Sequence, residues 1–166
     1  MITLVLGGAR SGKSEVGERL AAALGAGVTY VATAVVDPSD EDWVRRIDKH
    51  RARRPATWTT VEAGADLPDV VAALVGPVLV DSLGTWVAGC VGADPGADAG
   101  ALCHALAHRD GSTVVVSEEV GLGVHPSTEV GRAFRDALGT VNRAVADVAD
   151  EVLLVVAGRV LPLARP

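Results

Sequence analysis

The chain has 166 residues, 49% of them hydrophobic and 22% charged, which suits one compact domain spanning residues 1–166. Aromatic residues make up only 3%, so the core has to be built from Val, Leu and Ala. A formal net charge of −6 repels nucleic-acid phosphates and argues against a polynucleotide partner.

Ile2–Leu6 is a short apolar run ending in glycines, the pattern of a buried strand. Val16, Leu20, Ala23 and Leu24 then fall at helical spacing, which predicts a helix over Ser14–Leu24 with Gly25 at its C-terminal cap. Val28–Ala32 reads as a second strand. Ser39 has the character of an N-cap, and Trp43, Ile47 and His50 share one face of the helix that follows, which Arg53, Arg54 and Pro55 close. Thr57–Val61 is β-prone, Leu67–Leu74 is helical, and Val78–Val80 is a strand closing on Asp81. Gly84–Cys90 is predicted helical. Gly92–Gly100, rich in Gly, Ala and Asp, is predicted to be a loop, and Ala101–His108 a modest helix. Thr113–Val116 is a strand closing on Ser117, Glu118 and Glu119, followed by a loop with Gly121, Gly123 and Pro126. Phe134, Leu138, Val141, Val145 and Val148 define a long amphipathic helix from about Ser127 to Ala149. Val152–Val156 is a last buried strand and Val160–Leu163 an edge strand. Strands alternate with helices throughout, which predicts an α/β fold: a mostly parallel sheet with helices on both faces.

The longest apolar stretch, Val70 to Val80, is broken by Gly76 and Pro77 and is too short to span a bilayer. Strand-like residues begin at Ile2, which leaves no signal peptide in front of them. Cys90 and Cys103 have no metal-ligand spacing and read as reduced thiols. Together these features predict a cytoplasmic protein without membrane insertion.

Gly7, Gly8, Ala9, Arg10, Ser11, Gly12, Lys13 and Ser14 match G-x-x-x-x-G-K-[ST] at every fixed position, after a strand and before a helix. Glycines let the backbone curl so that successive N–H groups face an anion, and the helix starting near Lys13 adds its positive dipole end. Lys13 supplies a point charge for the β- and γ-phosphates of a nucleoside triphosphate, and the Ser14 hydroxyl a ligand for Mg2+. Such a site also needs an acid near the metal, and ligands of open α/β sheets gather at the carboxyl ends of the strands. Two strands end suitably, at Asp81 and at Glu118/Glu119; Asp81 and Glu119 are the candidates, and the residue pattern leaves open which acid touches the metal.

His50 lies in a basic string, Arg45 to Pro55. It is either an incidental histidine on a solvated helix face or a nucleophile for an α-phosphate, with the arginines stabilising the charge that develops. His104 and His108 are four residues apart with no carboxylate nearby, and read as surface histidines.

GGARSGKS (Gly7–Ser14), YVAT (Tyr30–Thr33), the string from Arg46 to Glu62, VDSLGTWV (ending at Val87), EEVGLGVHP (Glu118–Pro126) and the stretch Phe134–Gly158 occur together. In that combination the chain resembles the bifunctional adenosylcobinamide kinase / adenosylcobinamide-phosphate guanylyltransferase family of cobalamin biosynthesis. The resemblance implies a RecA-like P-loop NTPase fold and a homotrimer. It implies phosphorylation of adenosylcobinamide by ATP or GTP, then GMP transfer from GTP to adenosylcobinamide phosphate through a GMP–histidine intermediate on His50. It further implies nucleotide contacts from Thr33, Arg51, Ala52, Arg53, Arg54, Glu62 and Asp81. The glycine-rich segment between Trp86 and Ser112 departs from the longer helical stretch that the resemblance leads one to expect. Two rival readings are a P-loop kinase of another small metabolite, in which His50 forms no covalent intermediate, and a regulatory GTPase or ATP-driven module. The chain lacks an NKxD guanine-reading motif and an LSGGQ-type signature, which weighs against the last.

Overall fold

A computed structural model describes residues 1–34, 54–90 and 95–165. The predicted helix that would carry His50, with Arg51, Ala52 and Arg53, lies outside them.

The elements are β1 (Ile2–Gly7), α1 (Lys13–Ala23), β2 (Thr29–Ala32), β3 (Thr59–Glu62), a 3-10 turn (Gly64–Asp66) and α2 (Leu67–Ala73). They continue with β4 (Val78–Asp81), α3 (Leu83–Gly89), α4 (Pro95–His108), β5 (Thr113–Glu118), α5 (Glu129–Val148), β6 (Glu151–Val156) and β7 (Arg159–Pro162). One seven-stranded sheet runs β3-β2-β4-β5-β1-β6-β7. Every neighbouring pair is parallel except β6 with β7, which is antiparallel. The sheet is therefore of the expected kind, with β7 as an antiparallel edge strand.

Side-chain alternation along the strands divides the core in two. Leu4, Leu6, Val31, Val78, Val80 and Val115 face one side, where α2 to α5 cover them with Leu67, Leu83, Leu102, Leu138 and Val145 among others. Val5, Tyr30, Leu79, Val114, Val116 and Val155 face the other, where α1 covers them with Val16 and Ala21. Gly17 on α1 allows this close contact, because a Cβ there would sit 2.6 Å from Val116 Cγ2.

The segment Gly92–Gly100 departs from expectation. A helix begins at Pro95, not at Ala101. Proline at the first helical position has its φ preset and its missing N–H costs nothing there. Ala99 and Leu102 are then buried in the core, and this burial outweighs the low helix propensity of the glycines.

Arg109 ties the segment before β4 to the segment before β5. Its guanidinium donates to the carbonyls of Gly76 (2.6 Å) and Gly111 (3.1 Å) and to Thr113 Oγ1 (2.6 Å). Burial pushes its pKa below the usual arginine range.

Candidate active site

β1, β5 and β4 lie side by side and end at Gly7, Glu118 and Asp81. Gly7 is in register with Glu118, and Asp81 with Val116, so the loop after β1 and two acidic strand ends meet at one edge of the sheet. This is where a doubly wound sheet places its ligands.

The loop is built by its glycines. A Cβ on Gly7 would collide with Ser11 Oγ and stand 2.9 Å from the Val155 carbonyl. Gly12 has φ +94°, which L side chains rarely adopt. The Gly8 carbonyl accepts from Ser11 N–H (3.3 Å) and Ser11 Oγ accepts from Lys13 N–H (3.3 Å), which curls the chain into α1. Gly158, in the β6–β7 turn, donates its N–H to the Ser11 carbonyl at 2.8 Å and braces the loop from outside. Ala9 and Arg10 lie exposed on the loop.

Lys13 Nζ stands 3.3 Å from Glu118 Oε1, with 12% of its side chain exposed. Glu118 also receives Ser82 Oγ–H at 3.0 Å and Gly84 N–H at 3.0 Å. Gly84 leaves room for the Glu118 carboxylate where it stands, because a Cβ there would overlap it. On the next strand, Ser14 Oγ donates to Asp81 Oδ1 at 3.4 Å, and Tyr30 O–H donates to Asp81 Oδ2 at 3.1 Å. The Arg54 guanidinium carbon stacks 3.2 Å from the centre of the Tyr30 ring. Burial first, and then the Asp81 charge, push the Tyr30 hydroxyl above the usual tyrosine range.

Thr33 is 1% exposed. Its hydroxyl donates to the Ser82 carbonyl (2.6 Å), accepts from Ser82 N–H (3.0 Å) and meets Thr85 Oγ1 at 2.5 Å. In this arrangement Thr33 fixes the corner after Asp81. Glu62 ends β3 in register with Ala32, which is itself in register with Asp81. Glu62 thus sits two strands, or roughly 10 Å, from Asp81.

The structure therefore brings together Lys13, Ser14, Asp81 and Arg54 of the predicted residues. Glu119 stands against the loop by its backbone, whose N–H donates to the Gly7 carbonyl at 3.1 Å, while its side-chain Oε1 accepts from Gly121 N–H at 2.7 Å. The acid beside Lys13 is Glu118. The strand-end reading pointed at both glutamates; β5 ends at Glu118, and Glu119 lies one residue beyond it. Tyr30 was also missed as a site residue, although one turnable hydroxyl on a buried β2 was a signal.

A cleft of about 560 Å³ flanks the loop, lined by Gly12, Glu15, Arg19, Arg54, Trp58 and Gly158. Its wall combines two arginines, two glutamates (Glu15 and Glu18) and the Trp58 ring next to the loop. The Ser14 hydroxyl and Asp81 carboxylate are hard oxygen donors of the kind Mg2+ prefers, and their proximity fits a shared cation.

Comparison with known proteins bears on the fold and on the family. A solved ATPase from the type III secretion system of pathogenic bacteria superposes with TM-score 0.52 at 12% identity. The match covers 92% of this chain and half the length of that ATPase, and it supports the P-loop fold alone. The "Bifunctional adenosylcobalamin biosynthesis protein CobP" of Pseudomonas aeruginosa is 39% identical over 98% of this chain and 97% of its own length. The "Bifunctional adenosylcobalamin biosynthesis protein CobU" of Escherichia coli and that of Salmonella typhimurium are each 35% identical over 95% of this chain and 97% of their own lengths. The family described as cobinamide kinase / cobinamide phosphate guanyltransferase matches residues 3–163, and the chain belongs to that family.

Proposed function

We propose that this protein phosphorylates adenosylcobinamide with a nucleoside triphosphate and then transfers GMP from GTP to adenosylcobinamide phosphate, giving adenosylcobinamide-GDP. The observation that carries this reading is the Gly7–Ser14 loop, with Lys13 and Ser14 facing two strand-end acids, in a chain of this family.

Backbone N–H groups of Gly8 to Ser14 bind the triphosphate together with the dipole of α1. Lys13 exchanges Glu118 for the β- and γ-phosphates. Ser14 and Asp81 would hold Mg2+, which neutralises charge on the phosphate oxygens when bound. Tyr30 and Thr33 orient Asp81 and the corner behind it. Arg51, Ala52, Arg53, Arg54 and Glu62 complete the nucleotide contacts.

In the guanylyl step a neutral His50 nitrogen attacks the α-phosphorus. An N–P bond forms, the bond to the β-phosphate oxygen breaks, and pyrophosphate leaves. An oxygen of adenosylcobinamide phosphate then displaces the imidazole. A single catalytic domain, a homotrimer and a cytoplasmic location go with this reading. No helix among the described residues is long and apolar enough to cross a membrane.

GTP labelled in the α-phosphate should leave acid-labile, base-stable label on the wild type and none on His50→Ala. An unlabelled wild type would point instead to a simple kinase.

A further inference from the structure

We infer that Glu118 is the proton acceptor of the kinase step and has no such duty in the guanylyl step. This rests on the function proposed above and adds one catalytic residue to it.

Position is the first ground. Glu118 ends β5, the strand between the one that launches the phosphate loop and the one that ends at Asp81. Its Oε1 lies 3.3 Å from Lys13 Nζ, the ammonium that serves the β- and γ-phosphates. A carboxylate touching that ammonium borders the place of the γ-phosphorus. It is also open to an incoming substrate, with 28% of the side chain exposed.

Rigidity is the second. Ser82 Oγ donates to both carboxylate oxygens at 3.0 Å and Gly84 N–H to Oε2 at 3.0 Å. Held this way, the carboxylate does not need to reorganise when substrate arrives. The neighbouring acids are engaged elsewhere. Asp81 takes the hydroxyls of Ser14 and Tyr30, and Glu119 takes Gly121 N–H.

The third ground is the chemistry of the two acceptors. The kinase acceptor is an alcohol, whose proton has to go somewhere as its oxygen attacks. The guanylyl acceptor is a phosphate monoester, which already presents an anionic oxygen near neutral pH. One site serving both therefore needs a base for the first reaction only. In that step the alcohol O–H breaks and its proton passes to Glu118. The oxygen–γ-phosphorus bond forms as the bond to the β-phosphate oxygen breaks. The electron pair leaves with the nucleoside diphosphate, and the carboxylic acid then gives its proton to water.

The test measures both reactions on the full chain: adenosylcobinamide with ATP, and adenosylcobinamide phosphate with GTP. In Glu118→Gln the kinase kcat should fall about 100-fold further than the guanylyl-transfer kcat. Equal losses in the two reactions would reduce Glu118 to a support for Lys13 and overturn the proposal, as would a kinase kcat within about threefold of wild type. If Glu118→Gln does not fold, Glu118→Asp and Glu118→Asn replace it. They match in length and differ in basicity, so the aspartate has to be the faster kinase by about tenfold or more, and parity refutes the base. A wild type that phosphorylates no adenosylcobinamide would sink the proposed function itself. A wild type active in both reactions, with variants impaired equally in both, would sink only the role of Glu118.

Discussion

Tyr30 is the one tyrosine of the chain, so its ionisation can be followed without interference from another phenol. It is 4% exposed, donates to Asp81 Oδ2 at 3.1 Å, and has its hydroxyl pushed above the ordinary range. The unfolded chain ionises this group near about pH 10 and the native chain only at higher pH. Above that value the unfolded state binds fewer protons than the native state, so the stability contributed by Tyr30 is full below about pH 10 and declines as pH rises. One pH unit above the unfolded value the loss amounts to about 1.4 kcal/mol. Absorbance at the phenolate band should stay flat in the folded protein through about pH 11 and jump on unfolding in denaturant. In chemical denaturation, the stability difference between wild type and Tyr30→Phe should shrink by about 1 kcal/mol between pH 10 and 11. An ordinary phenolate titration near about pH 10 in the folded state would refute the buried Tyr30–Asp81 contact on which the placement of Asp81 depends.

Lys13→Ala should lower kcat/KM for both phosphorylation and guanylyl transfer by at least about 100-fold, since both reactions need the triphosphate held; full kinase activity in this variant would exclude a shared site. Gly17→Ala should destabilise by about 1–2 kcal/mol in urea titration, because overpacking against Val116 outweighs the gain in helix propensity. A stabilised variant would show that α1 does not pack there as described. Arg109→Met should cost about 3 kcal/mol by leaving the Gly76 and Gly111 carbonyls without their donor, read as a lower denaturation midpoint. Gly84→Ala should depress kinase turnover through displacement of Glu118, with kcat measured at saturating ATP.

Much of this was legible because its determinants are local. A strand, a glycine turn and a helix follow one another from Ile2 to Ala23, so the phosphate loop can be read directly along the chain. Apolar periodicity likewise marked α1, α5 and the buried strands, with ends off by a residue or two. The helix from Pro95 was misread because its glycines weigh on propensity, whereas its formation depends on burying Ala99 and Leu102 against partners distant in the chain. Periodicity shows which face of a strand is buried but not which strand is its neighbour. The insertion of β4 and β5 between β2 and β1 therefore had no local signature.

The same division holds at the site. Residue order by itself determined the triphosphate grip, since backbone N–H groups, Lys13 and the start of α1 are contiguous and need only a glycine-permitted curl. Only the tertiary structure decided which acids stand beside it. Ser14 and Asp81 are 67 residues apart and Tyr30 and Asp81 are 51 apart, and no local rule couples such positions. Strand register turns Glu118 toward Lys13, while the adjacent Glu119 closes a turn at Gly121. Pairing of β5 with β1 holds Glu118 in register with Gly7 at the site, and the chain leaves the strand before Glu119, so the sheet and not the local residue order separates the two acids.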